Sequence, residues 1–430
     1  MTAATPTYSA RYLRLVLGLM IAAVGVEFFH RQILAVSVEP LRRDLGLSDT
    51  QMGSLLTLFA CAYGVVALAL GRIADASDRR AIYAVCIGFW SAATAAGAAV
   101  AGYPALLATR IAAGAGQAGS GACCTPLLVD YVPPERRGTA LGLLSMGATL
   151  GTFLALAVGG LVVAQLGWRW LFAASGAAGV VFAIAFGALV KEPPRGWSEG
   201  RAHEAGARPS LAEALRTLSG IRALRHLAAG SLLATMGVMA AAQWGPAFFE
   251  RAYGFGSSQA GGAGAVAALF GTLGAVAGGI ACDRLWARRP SGALLLPAVS
   301  SALAFPLSAL AFTAESGGTS IALLCGAAFF SLIFGAPIGA IAQALAPLRM
   351  RAVASGLLNA LLTFFGMGVG PLAAGWISDR VGSGRGLGTA LACVSAVHVW
   401  AGFHLWRAAR ALELDLPAAA LARRPASEPG

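Results

Sequence analysis

Runs of about 20 apolar residues, the length that crosses a bilayer as a helix, recur twelve times along this chain. They lie near residues 12–38, 50–72, 81–101, 104–129, 137–164, 169–190, 224–250, 258–282, 291–313, 319–346, 351–378 and 387–409. Only 12% of the residues are charged, against roughly 25% in soluble domains, so lipid is the expected solvent for most of the surface. The first run follows Arg11 and Arg14 in the manner of a signal peptide, but it is too long for a signal core and another span follows at once. It is read as the first membrane helix. The expected fold class is an all-α membrane protein of twelve transmembrane helices.

A charged turn repeats between these runs. Gly71-Arg-Ile-Ala-Asp75 with Arg79-Arg80 is echoed about two hundred residues later by Gly279-Ile-Ala-Cys-Asp283 with Arg284 and Arg288-Arg289. Internal duplication in a membrane protein implies two similar bundles that rock about a site trapped between them. The longest polar stretch, from Lys191 to about Arg225 with Pro193, Pro194 and Pro209, divides the chain into six spans on either side. Residues 1–190 are expected to form one six-helix bundle, 191–223 a cytoplasmic linker, 224–410 the pseudo-symmetric second bundle, and 411–430 a disordered cytoplasmic tail. Within the linker, Ser210-Leu-Ala-Glu-Ala-Leu-Arg-Thr-Leu has helical apolar spacing and is expected to lie along the membrane surface.

The formal charge of +12 raises nucleic-acid binding as an option. Placement decides against it: 23 of the 31 Lys and Arg fall in one alternate set of loops, tails and span ends, and six in the opposite set. This asymmetry is expected to put both termini in the cytoplasm and leaves no basic soluble module; a bacterial inner membrane is the expected location. The seven cysteines lie within spans without metal-ligand spacing and are expected to be small packing residues. Five scattered histidines without ligand-spaced acids and no nucleophile–base pair argue against an enzyme, and neither loop nor tail is long enough for a receptor's output domain. No cofactor or metal is expected. The partners expected are a small-molecule substrate and the lipid bilayer, with the chain working as a monomer. The 56 glycines, including Gly114-Ala-Gly116, Gly147-Ala-Thr-Leu-Gly151 and Gly366-Met-Gly368-Val-Gly370-Pro371, suit close helix approach in a bilayer.

Charges inside the spans are the candidate site. Glu27, His30 and Arg31 are i, i+3 and i+4 neighbours on one side of the first span, expected to form one polar patch. Arg110 and Gln117, two turns apart, share a face of the fourth span over roughly 10 Å. A charge at such depth costs at least about 2.5 kcal/mol unless paired or hydrated. Two readings stay open. A Glu27–Arg110 or Glu27–Arg31 pair simply holds helices together, or the patch is a titratable site, because burial and a neighbouring arginine act on a carboxylate's protonation in opposite senses. His30 is a second candidate for proton transfer. Two arginines against one carboxylate favour an anionic or zwitterionic solute, with Arg31 and Arg110 facing its acid group.

At this point the chain resembles the major facilitator superfamily over nearly its whole length. The first charged turn matches the superfamily's signature through Gly71, Asp75, Arg79 and Arg80, with Ala76 where a basic residue often stands. Within the superfamily it is most similar to spinster-like transporters, through Arg31-Gln-Ile-Leu-Ala-Val to Leu47-Ser-Asp-Thr-Gln-Met-Gly53, Arg110-Ile-Ala-Ala-Gly-Ala-Gly, Asp130-Tyr-Val-Pro-Pro-Glu-Arg-Arg-Gly138 and Gly167-Trp-Arg. Such relatives commonly carry an aspartate just before the first-span arginine and a glutamate seven residues after the fourth-span arginine. Here those places hold His30 and Gln117, while Glu27 stands one turn earlier.

The resemblance implies alternating access by a secondary active transporter whose cavity is lined by the first, fourth, seventh and tenth spans. Gln243, Trp244 beside Pro246, Gln343 and Asn359 are therefore further candidates for the pocket, Trp244 as a stacking platform. It also implies that Asp75 and Arg79 with Asp130 latch the two halves, a network repeated more loosely by Gly279, Asp283, Arg284 and the Arg349/Arg351 turn. The fifth span lacks the Gly-Pro element of many antiporters in the superfamily, which leans against drug efflux. The expectation is proton-coupled uptake of a small organic anion or amphipathic solute. The alternatives are export of an amphipathic compound, lysolipid or drug, and uncoupled facilitation.

Overall fold

The computed structural model describes residues 8–194, 211–347, 350–382 and 385–416. The first half forms α1 (Ala10–Val36), the short α2 (Val38–Leu45), α3 (Asp49–Ala76), α4 (Arg79–Ala96), α5 (Tyr103–Tyr131), α6 (Arg137–Leu166) and α7 (Trp168–Leu189). The second half forms α8 (Leu211–Gly220), α9 (Arg222–Tyr253), α10 (Ser257–Arg288), α11 (Gly292–Thr313), α12 (Gly317–Leu332), α13 (Gly335–Leu345), α14 (Arg351–Leu361), α15 (Gly368–Val381), α16 (Gly386–Ser395) and α17 (Val397–Asp415). The pairs α12–α13, α14–α15 and α16–α17 are each one interrupted span. In the second pair the interruption is a π-helical turn over Leu362–Met367, set four residues before Pro371, whose ring would otherwise collide with the Met367 carbonyl.

Eleven described segments, not twelve, are long and apolar enough to cross a bilayer. The remaining one is α5, whose 29 residues reach about 43 Å, ample for a span. Its apolarity is diluted by Arg110, Gln117 and four glycines. The helix that hydropathy discounts is one that carries candidate site residues, Arg110 and Gln117.

Local signals set the helix ends. At α3, Gln51 N–H donates to Ser48 Oγ (3.2 Å) while Ser48 N–H donates to Gln51 Oε1 (2.9 Å), a reciprocal cap. Gly46 ends α2 in the left-handed region at φ 63°, which a side chain would strain. Asp78 accepts the Ala81 N–H at 2.8 Å to start α4. Burial works against its ionisation, but hydrogen bonds from Arg80 and Ala81 outweigh it and hold the Asp78 carboxyl below the usual range.

The glycine runs do what the sequence suggested. Gly147 and Gly151 of α6 touch the backbone of Ile21 and Gly25 on α1 so closely that a Cβ would overlap their carbonyls, and Gly114 of α5 meets Phe59 of α3 in the same way. In the second half, Gly366 crowds Thr235 and Gly370 the Met236 carbonyl of α9. With no hydrophobic drive between helices in lipid, such backbone contact supplies the packing energy. All seven cysteines are unbridged, five of them buried.

Contacts group the chain into two compact units, Met1–Ala205 with Ala242–Ala265, and Gly206–Ala241 with Val266–Gly430. The end of α9 and the start of α10, from the chain's second half, therefore belong to the first unit. In the second unit α8 does not lie on the surface alone: Ala214 and Leu218 bury in a cluster with Leu224, Leu227, Leu405 and Leu412, while Leu215 stays exposed. The helix α17 continues to Asp415, past residue 411 where the tail was expected to begin. Residues 417–430 lie outside the described residues, as do 195–210 of the linker.

Candidate functional site

Two polar clusters sit inside the first unit. In one, Arg31 Nη2 donates to Glu27 Oε1 at 2.7 Å and to Gln117 Oε1 at 3.0 Å, so α1 and α5 are tied through one guanidinium. Glu27 and Gln117 are 5% and 1% exposed. Three aromatic rings surround the guanidinium carbon, Phe28 at 4.8 Å, Phe59 at 5.7 Å and Tyr63 at 6.0 Å, which supplies cation–π attraction where water is scarce. Of the two helix-holding pairs considered, Glu27–Arg31 is the one formed.

The single patch expected on α1 splits in two. Along a helix His30 falls about 60° to one side of Glu27 and Arg31 about 40° to the other, and the two side chains diverge accordingly. His30 Nε2 donates to the Ser175 carbonyl of α7 at 3.0 Å, and Nδ1 is buried with no partner among the described residues. The ring fits against Gly179, where a Cβ would strike both it and Ser91. Arg110, 3% exposed, lies in this second cluster, its guanidinium 5.2 Å from the Phe172 ring centre. Its Nε and Nη2 are buried and find no acceptor among the described residues.

The first charged turn is a tight ionic knot. Arg79 donates to Asp130 of α5 and to Glu192 beyond α7, both at 2.6 Å, and Glu192 also accepts the Arg80 N–H at 3.0 Å. Arg80 pairs with Asp78 at 2.7 Å. These bonds join α4, α5 and the end of α7 within the first unit. Gly71 has open space around it. The side chain of Asp75 lies outside the described residues, and so does Arg349. The second copy forms no such knot among the described residues: Gly279 is half-buried, and Asp283, Arg284 and Arg351 are exposed.

A third ionic cluster closes the other end of the first unit. Arg251, in the last turn of α9, donates through Nε to Glu39 of α2 at 2.5 Å and grips Asp49 of α3 with Nη1 and Nη2 at 2.6 and 2.7 Å. Both carboxylates are at most 5% exposed. Nearby, Gln32 of α1 donates to the Ala242 carbonyl of α9 at 3.2 Å, and Gly160 and Gly261 bring α6 and α10 into backbone contact. At the head of α7, Trp168 (3.1 Å) and Arg169 both bond Asp44, Arg169's hydrogen bond being the main reason the Asp44 carboxyl sits below its usual range.

The sequence profile of the Major Facilitator Superfamily matches residues 19–371. The chain belongs to this superfamily. It is an integral membrane secondary transporter with no enzymatic role. An MFS-type efflux pump of Mycolicibacterium smegmatis is 29% identical over 92% of this chain and 94% of its own length. A probable L-galactonate transporter of Escherichia coli is 26% identical over 88% of this chain and 86% of its own. The fold is that of a solved bacterial homologue of the human lysosomal transporter Spinster, captured inward-facing and unoccupied, with a TM-score of 0.87, 23% identity, and 95% and 99% of the two chains covered.

Of the pocket candidates in this transporter, the fold brings together Glu27, Arg31 and Gln117, and separately His30 and Arg110. Gln243 is buried with Nε2 unpartnered, and Trp244 is fully buried with the Arg251 guanidinium 5.9 Å from its ring centre, so that residue's stacking face is occupied by a cation. Gln343 and Asn359 belong to the second unit, both exposed. Sequence reasoning missed Arg251, Glu39, Asp49 and Glu192, because their partners are far off in the chain. A lone arginine closing an apolar run was the available signal for Arg251.

Replacing Arg251 by Met removes the nearest cation from two buried carboxylates and leaves them only the longer pairs, Glu39 with Arg42 at 3.5 Å and Arg43 at 3.7 Å and Asp49 with Arg42 at 3.9 Å. The cost therefore stays below the roughly 3–5 kcal/mol of a fully unpaired buried charge, and the melting temperature in detergent should fall by a few degrees. Adding Glu39→Gln and Asp49→Asn to Arg251→Met should recover most of the loss; a triple variant no better than the single would show that the cluster is not a self-contained ionic unit.

Proposed function

We propose that this transporter takes up a small organic anion, that Arg110 receives the solute's acid group, and that the Glu27–Arg31 pair couples transport to protons. One observation carries the reading: of the two arginines within the spans, Arg31 is held by Glu27 and Gln117, whereas Arg110 keeps two buried N–H-bearing nitrogens without an acceptor among the described residues. An uncompensated cation at that depth is costly, and a bound carboxylate would repay the cost with charge-assisted hydrogen bonds. The named substrate of the Escherichia coli relative is itself a sugar carboxylate. Glu27 then serves as the proton carrier: protonated, it releases Arg31, and ionised, it binds Arg31 again. Uptake proceeds across a bacterial inner membrane with both termini cytoplasmic, as the distribution of Lys and Arg favours, and the monomer suffices.

Export of an amphipathic compound, a lysolipid or drug, is the second reading. Phe28, Phe59 and Tyr63 around Arg31 suit an apolar body, and the Mycolicibacterium smegmatis relative is named an efflux pump.

A thermal-shift screen of the purified protein against organic acids, lysophospholipids and cationic drugs at pH 6 and pH 8 separates the readings. A ligand at a hundred times its Kd stabilises by about 2.7 kcal/mol whatever the transport direction. Organic acids should raise the melting temperature by several degrees. A response confined to cationic drugs would overturn the anion reading in favour of efflux.

A further inference from the structure

At the junction of α9 and α17, in the second unit, a cavity of about 340 Å³ is lined by Arg222, His226, Trp406, Arg407, Arg410 and Asp415, among others. Its electrostatics are one-sided. None of the three arginines pairs with a carboxylate among the described residues. The one carboxylate present is already engaged, Asp415 Oδ2 accepting the Ala223 N–H at 2.6 Å to cap the start of α9. Two of the guanidiniums are held over aromatic rings, Arg410 4.9 Å from the centre of Trp406 and Arg407 6.0 Å from that of Phe403. His226 is fixed from behind, its Nδ1 lying 3.0 Å from His404 Nδ1, which leaves Nε2 as its free polar edge.

We infer that this cavity binds the phosphate headgroup of an anionic glycerophospholipid. Three arginines against one carboxylate leave the cavity net positive and call for an anion, and the fork of an arginine matches phosphate oxygens. The surroundings choose the lipid over free phosphate. The cavity sits at the end of two membrane spans, and exposed apolar side chains flank it, Trp406, Phe403 and Leu414, the last 82% exposed. A ligand bearing both a phosphate and acyl chains satisfies the arginines and the apolar rim together. The site involves none of Glu27, Arg31 and Arg110, and it stands or falls apart from the transport reading.

The test is native mass spectrometry of the delipidated full chain titrated with phosphatidylglycerol, and with phosphatidylcholine of the same acyl chains. Wild type should hold phosphatidylglycerol at least tenfold more tightly. Each of Arg222→Gln, Arg407→Gln and Arg410→Gln should weaken it about fivefold, and the three together roughly a hundredfold. The singles keep the test decisive if the triple variant folds poorly. Arg11→Gln/Arg14→Gln/Arg136→Gln removes the same charge elsewhere and should leave binding unchanged. Equal losses in the two triple variants would reduce the effect to net charge and overturn the site, and so would displacement of the lipid by inorganic phosphate at equal concentration.

Discussion

Arg110→Ala should lower affinity for acidic solutes by more than a hundredfold while changing that for neutral analogues less than about threefold. Removing one partner of a buried, hydrogen-bonded ion pair costs about 3 kcal/mol or more, because the surviving charge is left in a poor solvent. A neutral analogue never forms the pair. Arg110→Lys should restore little, since a lysine offers a point charge where the guanidinium offers a planar fork. A second readout separates function from scaffolding. Arg110 is buried with Nε and Nη2 unsatisfied, so without ligand an Arg110→Met variant should melt higher than wild type, the buried charge having been replaced by an apolar chain of similar length. Were Arg110→Met to melt lower and lose acidic and neutral solutes equally, Arg110 would be a packing residue and the anion reading would go with it.

Glu27→Gln is expected to abolish accumulation driven by a pH gradient and to leave solute exchange in place. The amide retains an oxygen for Arg31 Nη2, now 2.7 Å from the carboxylate, so the tie to Arg31 and Gln117 survives. What it lacks is a proton-binding state. With one proton per solute, a gradient of one pH unit supplies about 1.4 kcal/mol, a tenfold accumulation, and the variant should reach a ratio of about one. Proteoliposomes with an imposed gradient, alongside counterflow of labelled solute, measure both quantities. An identical pH dependence in variant and wild type would sink Glu27 as the coupling residue, and a gradient without effect on either would point to an uncoupled facilitator.

The helices were legible because apolar runs and their polar breaks are local properties of the chain. Even so, α5 fell short of the apolarity of the other spans, since it carries Arg110, Gln117 and four glycines. The glycines of α6 were legible for a similar reason: Gly147 and Gly151 stand four apart, on one face, whatever they meet. The site was only half legible. Helical spacing placed Glu27, His30 and Arg31 on one side of α1, but a spacing rule has an angular tolerance of tens of degrees, wide enough to hide that His30 turns to Ser175 while Arg31 turns to Gln117.

What the sequence determined by itself was the class, through span count, duplication and the one-sided distribution of arginine, all read without knowing any long-range contact. What only the tertiary structure decided was partnership. Arg31 rather than Arg110 takes Glu27, Arg251 finds Glu39 and Asp49 some two hundred residues away, and Glu192 joins Arg79. The physical reason is that a charge buried in a membrane is costly unless a counter-charge or polar group lies beside it. For Arg251 and Arg79 the counter-charge comes from whichever helix packs alongside, and close glycine contacts such as Gly114 on Phe59 and Gly151 on Gly25 help to fix how the helices pack.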